Sequence, residues 1–255
     1  MNSFFSFVGA RFPRAVTLFA VTVTLFTLTS CTREPDAIKL GHYGSLTGKD
    51  AAFGVATRKG VLLAIEEINA RGGVLGRPLA YLVEDIQSKP GESATAVKKL
   101  VSRDKVVALI GEVASGRSLE AAPIAQAAKI PMIAPAATNP KVTQTGNYIF
   151  RVCFIDDFQG TVMAKFARDT LKLKRVAILA SVSSAQSVGL AKYFRERFTS
   201  PATIISAEQK YGEGDKDFRA QLTAIKAAGA DAVFVTSNAP NATVCALLAA
   251  SLSVD

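Results

Sequence analysis

From Ile38 onward, short apolar runs rich in β-branched residues alternate with helix-length amphipathic stretches. Ile38–Tyr43 reads as a strand. Phe53–Arg71 reads as a helix, because Val61, Leu62, Ile65 and Ile68 recur at helical spacing, and Gly72-Gly73 ends it. The alternation continues with strand Leu79–Glu84, helix Gly91–Ser102, strand Val106–Ile110, helix Ser115–Ala128 and strand Pro131–Ala134. Continuous apolar strands between helices predict a parallel sheet covered on both faces, an α/β architecture. After strand YIFRV (148–152) a second round begins. It predicts helices Phe158–Leu171, Val188–Phe198, Asp217–Ala228 and Ala242–Leu252, with strands Arg175–Ala180, Thr203–Gln209 and Ala232–Thr236 between them. The pattern predicts an N-terminal lobe over 38–150 and a second lobe over 151–255, joined near 151–157. The second lobe has only three strands and no return crossover, so it reads as incomplete.

The first thirty residues follow a different rule. Arg11 and Arg14 precede the apolar run Ala15–Leu28, which is too short for a comfortable membrane span and right for a signal-peptide core. The run ends in Leu28-Thr29-Ser30-Cys31, which resembles the lipobox of bacterial lipoproteins. That resemblance implies cleavage before Cys31 and acylation of it, making residues 1–30 a signal peptide, Cys31 a lipid anchor and 31–37 a tether. It places the body in the bacterial cell envelope, extracytoplasmic and attached to the membrane; firm attachment needs more than one acyl chain.

Composition narrows the picture further. The chain has 255 residues, 49% of them hydrophobic, enough to bury one large core or two modest ones. The formal charge is +9, and removing the two leader arginines leaves 28 basic against 21 acidic residues. The basic residues are scattered singly along helices and form no patch interleaved with aromatics, so the balance speaks for a solvated surface and against nucleic acid as a partner. Of the three cysteines, Cys153 and Cys245 either pair or stay as isolated thiols, since no CxxC spacing is present. The lone His42 completes neither a zinc set nor a nucleophile–base pair, and no GxSxG or GxxxxGK[ST] string occurs. Neither an enzyme nor a transporter ATPase is expected, and no metal or cofactor.

The segments IKLGHYGSLTGKDAAFG (38–54), AIEEINARGGVLGRPL (64–79) and EDIQSKPGESATAVKKLVSRDKVVALIGEVASGRS (84–118) come in a telling order. They are followed by PMIAPAATNPKVT (131–143), YIFRVCFIDDFQGTVMAKFA (148–167) and GDKDFRAQLTAIKAAGADAVFV (214–235). Together they resemble the periplasmic branched-chain amino acid binding proteins, the type I solute-binding proteins of ABC importers. The resemblance covers nearly all of 38–250. It implies two Rossmann-like lobes with parallel sheets, a hinge between them, and a small amino-acid-like ligand that the protein passes to an ABC membrane permease.

Candidate ligand residues follow from position together with that resemblance. Ser115 begins a helix directly after a strand, where a hydroxyl and unpaired backbone N–H groups suit a carboxylate, although an N-cap serine would look the same. Ala136, Ala137 and Thr138 follow the next strand at the corresponding end, the side on which open α/β sheets bind ligands. The resemblance implies that this loop offers backbone groups and the Thr138 hydroxyl. Phe53 matches a position where relatives place an aromatic ring against the ligand, and a ring packed under its helix is the competing reading. His42 is expected to be structural.

The sequence departs from the family in the second lobe. Gln186 and Asn238 stand where relatives carry tyrosines, and the acidic residue that pairs with a ligand ammonium would lie beyond Asp255. A desolvated ammonium without a carboxylate partner is costly. The departures therefore predict weaker or altered amino-acid binding and a ligand more polar than leucine. A ligand-sensing receptor domain and a truncated, non-binding fragment are the alternative readings.

Overall fold

The computed structural model describes residues 36–212 and 214–236. The leader, Cys31, Asn238, Cys245 and the expected helix Ala242–Leu252 lie outside these residues.

Two parallel sheets follow one another along the chain. The first has strands β1 (Ile38–Gly44), β2 (Leu79–Asp85), β3 (Ala108–Ile110), β4 (Met132–Ala134) and β5 (Ile149–Arg151), in the spatial order β2-β1-β3-β4-β5. Helices α1 (Ala51–Ala70), α2 (Glu92–Ser102), α3 (Ser115–Ala127) and the short α4 (Lys141–Gln144) connect them. The second sheet has β6 (Arg175–Ser181), β7 (Ile204–Tyr211) and β8 (Ala232–Thr236) in the order β7-β6-β8. Its helices are α5 (Asp156–Lys165, continued by a π-helical turn Phe166–Thr170), α6 (Ala185–Phe198) and α7 (Arg219–Ala227). Every strand pair is parallel. This is the α/β arrangement that the alternating pattern predicts, one parallel sheet following the other along the chain.

The first core gathers Tyr43, Ile86, Val97, Leu100, Leu109 and Met132 with small residues of α3. Ala121, Ala122 and Ala125 bring that helix close to the sheet, where larger side chains would hold it off. In the second sheet the period of two along β6 divides the core. Val176 and Ile178 face Phe194 and Phe198 of α6, while Leu179 faces Tyr211, Phe218 and Leu222 on the other side. Phe194 stacks on Phe234 with ring centroids 3.9 Å apart. Burying side chains of this size contributes roughly 1.5–3 kcal/mol each.

Three local differences from the sequence reading have physical causes. Strand β3 starts at Ala108 rather than Val106, although Val107 N–H still donates to the Lys39 carbonyl at 2.9 Å. Helix α4 was not expected. It follows Asn139-Pro140, and four residues are too few for a hydrophobic period to register. Helix α5 begins at Asp156, two residues before the first apolar position, because acidic residues suit a first turn that periodicity does not see.

Candidate functional site

Strand β3 delivers the chain to Gly111 and Glu112, and α3 begins at Ser115. Glu112 is buried and accepts hydrogen bonds from Ser45 N–H (3.0 Å) and Ala114 N–H (2.6 Å). Arg117, one turn into α3, is also buried. Its Nη2 lies 2.5 Å from Asp50 Oδ2 and its Nε 3.4 Å from Glu112 Oε2. This array fixes the first turn of α3 against the loop before α1. No side chain caps α3 at its N-terminus, where Ala114 is the N-cap. The serine is thus the first helical residue and not the cap, and its hydroxyl is spent differently: Ser115 Oγ accepts the Asn139 N–H at 3.1 Å.

The loop after β4 is held by one side chain. Arg151 on β5 donates to the carbonyls of Ala137 (2.8 Å), Asn139 (2.8 Å) and Pro140 (3.0 Å) and to Thr143 Oγ1 (2.6 Å). Asp156, at the start of α5, donates its N–H to the Thr138 carbonyl at 3.0 Å. The Asp156 side chain is fully buried, and neither carboxylate oxygen has a hydrogen-bond partner in good geometry. Burial therefore pushes its pKa up to about 6, against the smaller opposing pull of the neighbouring Thr138 hydroxyl and the Arg151 charge.

A cavity of about 380 Å³ opens between the N-terminal turns of α1, α3 and α6 and the loop after β4. That volume suits a small metabolite. Phe53, Ser115, Ala136, Thr138 and Gln186 all line it, so five of the seven residues chosen from sequence stand around one space. Ala137 does not. It is fully buried in the first core and its carbonyl is taken by Arg151, so the loop presents Ala136 and Thr138 to the cavity and turns Ala137 inward. Asn238 lies outside the described residues. Phe53 is 39% exposed, which removes the reading of a ring packed under its helix. Gln186 Oε1 is a buried polar atom without a hydrogen-bond partner, and the Thr138 hydroxyl across the cavity neighbours the Asp156 carboxyl.

The structure adds wall residues that sequence reasoning missed. Asp50 and Arg117 form their ion pair in this wall, and Glu120 lies one turn further along α3. The signal for Arg117 and Glu120 in the sequence is their i, i+3 spacing on the helix that Ser115 begins. His42 stands apart. It is buried, with Nδ1 hydrogen-bonded to the Tyr81 hydroxyl, and its pKa is lowered to about 4 by burial and by the Arg58 charge. Among the described residues, no group of His, Cys, Asp and Glu side chains has the arrangement of a metal site.

The sequence profile of the periplasmic binding protein family matches residues 37–251. The leucine-, isoleucine-, valine-, threonine-, and alanine-binding protein of Pseudomonas aeruginosa is 32% identical over 200 residues, which is 78% of this chain and 53% of that one. A leucine binding protein from Thermotoga maritima superposes with a TM-score of 0.80 at 38% identity, covering 85% of this chain and 61% of that one. The branched-chain amino acid substrate binding protein LivJ of Streptococcus pneumoniae, solved in complex with isoleucine, gives 0.78 at 33% identity, covering 86% and 62%. The chain thus spans about half the length of the curated relative and about three fifths of the solved ones. With the profile matched over most of its length and the two-sheet fold shared with solved members, this chain belongs to the periplasmic binding protein family.

Proposed function

We propose that this chain is an extracytoplasmic solute-binding protein that captures an amino acid or amino-acid-like ligand and delivers it to the membrane permease of an ABC importer. The observation that carries the proposal is the metabolite-sized cavity on which Ser115, Thr138 and Gln186 converge, with Gln186 Oε1 a buried acceptor without a hydrogen-bond partner. An unsatisfied buried polar atom costs about 1–3 kcal/mol, so a ligand donor that reaches Gln186 Oε1 would be stabilising.

The chemistry assigns an orientation. The uncapped N-terminus of α3 and the hydroxyls of Ser115 and Thr138 form the anion-favouring end, where a carboxylate would sit. Ser115 Oγ already accepts the Asn139 N–H, so its own hydrogen remains to be donated. Gln186 Oε1 is an acceptor on the opposite side and suits the ligand ammonium. Phe53 and Ala136 supply apolar surface between them. Because Asp50, Arg117 and Glu120 share the wall, a ligand with a polar side chain fits better than leucine. The lobes divide at 151–157, and Cys31 anchors the protein to the membrane after residues 1–30 are removed.

Calorimetry with leucine, isoleucine, valine, threonine, alanine and glutamine tests this reading. Binding of at least one at micromolar affinity is expected, with threonine or glutamine ahead of leucine. Absence of binding across the panel would refute it. The intact mass of the membrane-extracted protein tests the anchor, since a species that retains Met1 and carries no acyl chain excludes it.

A further inference from the structure

Asn139 joins the two sides of the cavity. Its N–H donates to Ser115 Oγ at 3.1 Å, and its side-chain Nδ2 donates to the carbonyl of Ala185 at 2.8 Å. Ala185 opens α6, on the side of the second sheet, and precedes Gln186 of the cavity wall. The remaining polar groups of Asn139 hold its own loop: Oδ1 accepts the Lys141 N–H at 3.0 Å, and its carbonyl accepts from Arg151 Nη1 at 2.8 Å. The residue is 7% exposed, so these bonds form largely out of water, where a hydrogen bond is directional and costly to lose.

The contact with α6 is also unusually close. A Cβ added at Gly189, one turn along α6, would come within 2.4 Å of Asp156 Oδ2 and 3.1 Å of Asn139 Nδ2. Only a glycine lets α6 settle onto this pair. The Asn139 amide and the Asp156 carboxyl thus form a seat for the first turns of α6, beside the loop that carries Thr138.

We propose that Asn139 is a positioning residue that couples ligand capture at Ser115 to the placement of α6, and with it Gln186. The inference rests on the function proposed above. A ligand oxygen that takes the Ser115 hydrogen makes Ser115 Oγ a stronger acceptor for the Asn139 N–H, through the mutual polarisation of linked hydrogen bonds. The same residue then holds Ala185 through its amide. The two half-sites, one from each sheet, are therefore held in register by one side chain in addition to the ligand itself.

Asn139→Asp and Asn139→Ser separate this role from simple loop support. Both can still accept the Lys141 N–H in the manner of an Asx or Ser turn, and both keep the backbone bonds to Ser115 and Arg151. The aspartate carboxylate has no hydrogen to donate to Ala185, the serine hydroxyl is one bond too short to take the place of the amide nitrogen, and the serine adds no charge beside Asp156. Hydrogen exchange is measured on the whole chain with and without L-threonine, together with affinity. In the unmodified protein, ligand is expected to slow exchange in the first turns of both α3 and α6. In the serine variant, protection of α3 should persist, protection of α6 should be lost, and affinity should fall about tenfold, the usual effect of one buried hydrogen bond. Unchanged protection of α6, or a loss spread evenly over both helices, overturns the proposal. If the unmodified protein does not bind L-threonine or another amino acid, the proposed function fails. The unliganded comparison still decides the Asn139–Ala185 link, because faster exchange confined to the start of α6 supports it and unchanged exchange overturns it.

Discussion

Arg151 Nη1 lies 2.8 Å from the carbonyl oxygen of Ala137, and this bond decides which residues of the PAATN loop reach the cavity. With three further bonds to Asn139, Pro140 and Thr143, a single guanidinium satisfies acceptors that no strand partner reaches. Arg151→Ala is expected to lower stability by roughly 2–4 kcal/mol, because the Ala137 carbonyl loses this donor and the Asn139 and Pro140 carbonyls fall back on the N–H groups of Val142 and Gln144. Arg151→Lys should recover less than half of that loss, since one ammonium cannot reproduce the planar fork. Urea unfolding measures both values. Faster amide exchange over 137–143 should accompany the loss.

Removal of the hydroxyls should separate binding from folding. Ser115→Ala and Thr138→Val are each expected to weaken ligand binding about 10- to 100-fold, the range for one hydrogen bond to a charged group. Thr138→Val should change the melting temperature by a few degrees at most, whereas Ser115→Ala should lower it more, because it leaves the buried Asn139 N–H without its acceptor. Calorimetry and thermal unfolding on the same samples provide the check.

The buried charges of the wall predict an asymmetric response. Asp50→Asn leaves Arg117 balanced by Glu112 alone and should cost roughly 1–2 kcal/mol. Replacing Arg117 with Met leaves two carboxylates near each other and should cost more, roughly 3–5 kcal/mol. Equal losses in urea unfolding would mean that the three groups do not act as a unit.

Two buried groups set opposing pH dependences. Asp156 has a folded pKa of about 6 against 3.8 unfolded, so the folded protein holds this proton more tightly. Its contribution is most favourable at low pH and declines as pH rises through 6. His42 has a folded pKa of about 4 against 6.5 unfolded, so its contribution is complete above 6.5 and is lost as pH falls toward 4. Between about pH 4.5 and 6 the two slopes cancel. Asp156→Asn removes one of them. It should raise stability at pH 7.5 by roughly 1–2 kcal/mol and expose the His42 slope, a loss approaching 1.4 kcal/mol per pH unit below 6. Urea midpoints from pH 4.5 to 7.5 test the crossing.

Much of the fold is legible from residue order alone. Every described strand and all but one described helix coincide with a stretch of apolar periodicity, because burial of one face requires that period wherever the element packs. Ser115, Ala136 and Thr138 are legible from position and the likeness to relatives together: in parallel α/β units the cavity forms beyond the carboxyl ends of the strands, and chain order identifies those ends. Phe53 and Gln186 rest on the likeness to relatives alone, since nothing local distinguishes a cavity-facing ring or amide from a packed one.

The amino-acid sequence by itself determined the alternation of strands and helices, the parallel sheets and the family, because these depend on local periodicity and on ordered blocks of residues. Only the tertiary structure decided that Ala137 turns into the core, that Asp50 and Arg117 meet in the cavity wall, and that Asn139 bridges Ser115 to Ala185. These contacts join residues 14 to 67 positions apart. Hydrogen bonds and ion pairs across such separations follow from where packing brings the elements together, and no pattern within a single segment encodes them.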